Sequence, residues 1–196
     1  MTTRSTLTLV ILVSGCAREA PQTSPEGEPA ASVDSATSPA GPAVDSAPAS
    51  WTLSPQAFGP LPLGVPLQDA EGVLGEPLTP AYALNETCDY VRPSAFPPGV
   101  AAMVVGDTLV RVDVDSTGVH TDTGFGVGDT EAALVAHYGT QADVTPHKYT
   151  GPEGHYVTVT DPGDPNRLLI FETDGARVVR FYAGVLPAVR WIEGCS

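Results

Sequence analysis

Asp113, Asp115, His120 and Asp122 stand close enough in the chain for carboxylates and an imidazole to gather a metal ion, the starting point of metal-assisted hydrolysis. Strand alternation explains the first two more simply. In Val110-Arg111-Val112-Asp113-Val114-Asp115 the valines take one face and the charged residues the other, so one face is expected buried and the other wet. Asp161, Asp164 and Asn166 offer oxygen ligands at a spacing that a hard cation such as calcium could use. The glutamate and register of a calcium loop are missing, and Pro162, Gly163 and Pro165 favour a hairpin turn instead.

The loop from Pro146 to Tyr156 gathers His147, Lys148, Tyr149, His155 and Tyr156, and Lys148 is the chain's sole lysine. Tyrosine with adaptable polar neighbours brings large contact area at low entropic cost, which makes His147, Lys148 and Tyr149 a candidate partner surface. Tyr156 is expected in the core, and His137 is expected as a half-buried structural histidine. Asp122-Thr123-Gly124 spells the tripeptide of aspartic proteases, whose mechanism needs two carboxylates sharing one proton. No second copy is present, so a plain turn is expected. Neither a Ser-His-Asp nor a Cys-His arrangement, a phosphate-cradling glycine loop or a metal-spaced cysteine cluster appears. The expectation is a chain that is not an enzyme and has no cofactor, metal or catalytic residue.

At the N-terminus, Arg4 precedes an apolar run from Leu7 to Val13 that ends in Val13-Ser14-Gly15-Cys16. The run is far too short to span a bilayer and has the length of a signal-peptide core. These four residues resemble the lipobox of bacterial lipoprotein precursors. The resemblance implies a signal peptide over 1–15, cleavage before Cys16, and acylation of Cys16 as the lipidation site. Ala17 after the cysteine is similar to cargo passed on to the outer membrane, so the expected location is the cell envelope, lipid-anchored, at the outer membrane. Residues 17–50 hold nine Ala, six Pro and six Ser with no aromatic residue, too little apolar surface to offset the entropy of ordering. With Cys16 they read as a disordered tether whose ends would lie on the order of 30 Å apart. Acylation takes the thiol of Cys16 and leaves Cys88 and Cys195 as an even pair in an exported chain, where disulfides persist. Their pairing is expected, with Cα atoms within about 7 Å.

What must position these groups is a duplicated pattern. Residues 61–75, LPLGVPLQDAEGVLG, match residues 125–139, FGVGDTEAALVAHYG, with Gly64 over Gly128 and Gly75 over Gly139. Each copy reads as an extended lead-in, a short helix and a closing glycine, with Asp129 as the second N-cap and Pro66 at the first helical position. Strand candidates follow: 88–91, 100–105 and 109–115 after the first copy; 155–160, 167–173 and 177–182 after the second; and a last strand over 188–193. The expected class is α+β: two tandem helix-plus-antiparallel-strand repeats, unit 1 over 51–120 and unit 2 over 121–196 with the C-terminal strand.

This arrangement behind a lipobox is similar to small outer-membrane lipoproteins of the BamE type and to the tandem fold of β-lactamase inhibitor protein. The resemblance implies a protein-binding or scaffolding module. A net charge of −14 without a basic stripe argues against a nucleic-acid partner. The partners expected are the membrane, through Cys16, and another envelope protein. The alternatives are a periplasmic carrier of a small molecule or lipid and, behind it, a metal-dependent hydrolase.

Overall fold

The computed structural model describes residues 51–78 and 87–196, all within one compact unit. The expected lipidation site Cys16, signal peptide and tether fall outside the described residues. The chain opens with short strands β1 (Thr52–Leu53), β2 (Ala57–Phe58), β3 (Leu61–Pro62) and β4 (Val65–Pro66), then helix α1 (Leu67–Leu74). Strands β5 (Cys88–Val91), β6 (Val100–Val105), β7 (Thr108–Val114) and β8 (His120–Thr121) follow, then helix α2 (Glu131–Tyr138). Strands β9 (Ala142–Pro146), β10 (His155–Thr160), β11 (Arg167–Thr173) and β12 (Val178–Val185) complete the sheet, and a 3₁₀ turn spans Ala188–Arg190. No helix among the described residues is long and apolar enough to cross a membrane.

The expected α+β class is overturned. The described residues are mostly β, with two sheets of four and eight strands and two α-helices of eight residues each. The large sheet runs β5-β6-β7-β12-β11-β10-β9, with β4 pairing beside the start of β7, and all its pairings are antiparallel. The small sheet runs β3-β2-β1-β8, its β1–β8 pair parallel. Two physical facts produce this outcome. A two-turn helix is too short to cover a three-stranded meander, and a meander standing alone would leave the backbone of β7 and of β12 unpaired. Pairing those two strands, with Asp113 opposite Tyr182, joins both sets of strands into one sheet.

The duplicated stretches are treated alike at their helix starts. Gly64 N–H donates to Leu109 O and Leu67 N–H to Asp107 O, while Gly128 N–H donates to Val178 O and Glu131 N–H to Ala176 O. Gly75 and Gly139 close the helices with positive φ of 77° and 53°, their N–H groups donating to Glu71 O and Val135 O. The N-caps differ from expectation. Thr130 rather than Asp129 caps α2, its hydroxyl accepting from Ala133 N–H, because the Asp129 carboxylate is taken by Gly126 N–H in the preceding turn. Pro66 is the N-cap of α1 and stands one place before the first helical residue.

The main core fills the space between one face of the large sheet and the layer formed by the helices and the small sheet. Val112, Val114, Val157, Phe171 and Phe181 of the sheet meet Leu53, Phe58, Leu61, Ala70 and Leu134, all fully buried. On the sheet's second face the expectation of a wet surface fails. Arg111 is 0% exposed and Asp113 5%, and only Asp115 is solvent-exposed. The cause is the C-terminal segment. The strand expected over 188–193 is instead the 3₁₀ turn, and the residues after it cross the second face and are fastened there. A bond between Cys88 and Cys195, with Cα atoms 5.3 Å apart, ties the segment to β5.

Candidate functional site

The second face is assembled from alternate residues of neighbouring strands. Tyr90 and Met103 form one cross-strand pair and Met103 and Arg111 the next. Beside them Ala101 pairs with Asp113, and Asp113 with Tyr182. Arg111 donates from Nε to Asp113 Oδ2 at 2.9 Å and from Nη2 to Oδ1 at 2.5 Å, and its guanidinium lies 3.7 Å above the Tyr182 ring. Its remaining terminal nitrogen, Nη1, donates to Trp191 O at 2.8 Å, so the buried cation holds the C-terminal segment directly. Arg180 also donates to Asp113, and its other side lies 4.0 Å from Glu172. A buried charge is tolerated only when paired and hydrogen-bonded, and the fork of Arg111 meets that condition.

Burial and the neighbouring Asp113 carboxylate push the Tyr90 phenol up to about 12, and burial raises Tyr182 as well. The Tyr90 and Tyr156 hydroxyls are buried without a hydrogen-bond partner. Gly194 passes over Tyr90 with φ +67°, and a Cβ there would lie 2.7 Å from the hydroxyl, so only glycine suits this crossing.

The loop singled out in the sequence reaches the same end of the face. His147 stacks on Tyr156 with ring centroids 4.4 Å apart and lies 3.5 Å from Glu172. Lys148 donates to Glu193 at 2.8 Å, and Tyr149 donates to the same carboxylate oxygen. Their hydrogen bonds hold Glu193 below the usual carboxylate range, and Glu193 raises Lys148 in return. Tyr149 is 60% and Trp191 36% exposed. With Lys148, Arg190, Ile192 and Val105, Trp191 lines an open groove of about 550 Å³. The guanidinium of Arg190 makes no ion pair with any described residue.

The other residues considered for chemistry disperse. Asp113 is in β7 of the large sheet, His120 in β8 of the small one, and Asp122 in the turn after it. Among the described residues no group of three or more His, Cys, Asp or Glu is placed to hold a metal ion. Asp122-Thr123-Gly124 forms a turn in which Gly124 N–H donates to Thr121 O and the Thr123 hydroxyl bonds that of Tyr138. Asp161 accepts from Gln56 and from Gly163 N–H; Asp164 accepts from both nitrogens of Asn166 and faces Arg167. His155 bonds Glu131, which also accepts from the Thr173 hydroxyl, and this fastens the start of α2 to the β10–β11 hairpin. His137 is exposed rather than half-buried, its ring lying beside Phe125 and Tyr138.

Comparison with protein-family models, with curated proteins and with solved structures finds no match. Tyr90, Arg92, Arg111, Arg180, Arg190 and Trp191 were not marked by the sequence. One signal was available: Val110-Arg111-Val112 and Val179-Arg180-Phe181 hold like positions in the two sets of strands, which pointed to a pair of arginines on one sheet face.

Proposed function

We propose that the protein is a lipid-anchored lipoprotein of the cell envelope, held at the outer membrane through Cys16, whose β domain binds another envelope protein. The observation that carries the binding reading is the groove at the end of the second face. There the exposed ring of Trp191, the unpaired Arg190 and the sole lysine come together beside the exposed Tyr149, on a domain that is otherwise strongly acidic. Aromatic residues and arginine dominate the energy of protein interfaces, the rings because they bring large area with few torsions to freeze and arginine because its planar fork donates several hydrogen bonds. The carrier reading finds less support. The groove is open to solvent and lined by Lys148, Arg190 and Glu193 as well as by apolar residues, unlike the enclosed apolar cavities that bury lipids and other apolar ligands.

Photo-crosslinking in living cells tests the binding reading. A photoreactive residue at Tyr149 or Trp191 is expected to give one discrete protein adduct, absent when the same residue is placed at Val179, exposed elsewhere on β12. No adduct at either groove position, or an identical set at Val179, removes the proposal. The anchor is tested separately. Cys16→Ser is expected to abolish incorporation of labelled fatty acid and to leave the precursor uncleaved. Undiminished labelling of that variant would rule out Cys16 as the lipidation site.

A further inference from the structure

We infer that the cleft between β5, β7 and the C-terminal segment is a binding site for a small zwitterion of the α-amino-acid type. This cleft, about 270 Å³, is separate from the partner groove and lies on the other side of Glu193 and Gly194. Its floor is low because Ala101 of β6 and Gly99 just before that strand raise little or no side chain. Ala101 stands between Arg92, which follows the Val91–Ala102 pair, and its own partner Asp113. Gly99 lies beside Asp115, whose N–H donates to Gly99 O. The walls are therefore long charged side chains around a hollow: Arg92, Asp113, Asp115 and Arg180, with Tyr90 at the inner end. Ile192, Glu193 and Gly194 of the stapled segment form the roof.

The charges divide into groups already engaged and groups that are free. Asp113 accepts from both Arg111 and Arg180, so neither that carboxylate nor Arg180 is at liberty. Glu193 is held by Lys148 and Tyr149. Left over are the exposed guanidinium of Arg92 and the exposed carboxylate of Asp115, neither of which makes an ion pair with any described residue. Arg92 offers a planar fork for a carboxylate, and Asp115 an acceptor for an ammonium group. A simple anion would meet Asp115 and Glu193, and a simple cation would meet Arg92 and Arg180. A molecule carrying both charges a few bonds apart satisfies the free groups without opposing the others. The volume falls below the roughly 300–1,000 Å³ of pockets for drug-sized ligands, which points to a molecule of amino-acid size.

Calorimetric titration of the detergent-solubilised full-length protein with glycine, L-serine, L-leucine and L-phenylalanine tests this. At least one is expected to bind saturably with a dissociation constant in the millimolar range or tighter. Its amide, which lacks the carboxylate, and its N-acetyl derivative, which lacks the ammonium, are each expected to bind at least tenfold more weakly. Arg92→Gln and Asp115→Asn alter exposed side chains and should preserve the melting temperature while weakening the same amino acid at least tenfold. Saturable binding by none of the four overturns the inference. So does equal binding of the amide and N-acetyl forms, or unchanged affinity in both variants.

Discussion

A Cys88→Ser/Cys195→Ser double variant is expected to lose about 4–5 kcal/mol of stability, because the bond closes a loop across 107 positions of sequence and long loops forfeit the most chain entropy when crosslinked. That is a large share of the roughly 5–15 kcal/mol by which a domain is stable. For a domain of this size it corresponds to a fall in melting temperature on the order of 10–20 °C. Reductant added to the unmodified protein should reproduce the shift, and thiol titration of the unreduced, denatured chain should find neither Cys88 nor Cys195 free. A denaturant midpoint within error of the parent would show that the C-terminal segment is held without its staple. The effect should also be local in a recognisable way. Freed of Cys195, the segment loses its anchor on β5, and the Trp191 carbonyl that Arg111 requires is held only by the contacts of the neighbouring residues. Amide exchange should then rise first over 186–196 and next along β5 and β7.

Much of the local construction was legible in the chain because it is decided by near neighbours. The glycines that close α1 and α2 need positive φ, the two-residue turn at Gly106-Asp107 links apolar runs, and both features depend on backbone sterics within a few residues. The Cys88–Cys195 pairing was expected from the count of thiols left once Cys16 is set aside as the expected lipidation site, and the bond is present. What escaped was decided between distant segments. Nothing in Val110-Arg111-Val112 states that β7 will find β12, so the joining of all the longer strands into one sheet, and with it the mostly β class, was hidden. The strands of the small sheet are two residues each, too short for alternation to show. The second face illustrates the same limit in chemistry. Strict alternation of valine with Arg111 and Asp113 reads as a wet surface in any window, and it becomes a buried cluster only because a segment that places Trp191, 80 positions from Arg111, lies over it. The expected strand over 188–193 failed for a related reason. Pro187 lacks the N–H a ladder requires, and Pro187 O instead accepts from Arg190 N–H in a tight turn.

Arg111→Met is expected to cost about 3–5 kcal/mol, the scale at which breaking a buried ion pair from one side destabilises a fold. The side chain is wholly buried, and each of its three nitrogens donates, two to Asp113 and one to the Trp191 carbonyl, while its plane lies on Tyr182. Methionine would fill much of the space and keep contact with the ring, so the loss would come from leaving Asp113 with Arg180 alone and the Trp191 carbonyl with the Gly194 N–H alone. Arg111→Lys preserves the charge but not the fork, and should recover only part of the loss, since an ammonium cannot bond both carboxylate oxygens in plane and reach Trp191 as well. The decisive comparison is the double replacement Arg111→Met/Asp113→Leu. If the deficit of the single variant arises from an uncompensated buried carboxylate, removing that carboxylate should restore a large fraction of it, and the coupling between the two sites in a double-mutant cycle should exceed about 1 kcal/mol. Arg180 survives the loss of Asp113 because it is part-exposed and can turn further toward Glu172. A single-variant cost below about 1 kcal/mol, the range of exposed pairs, would mean that water reaches Arg111 and that the C-terminal segment does not seal the second face.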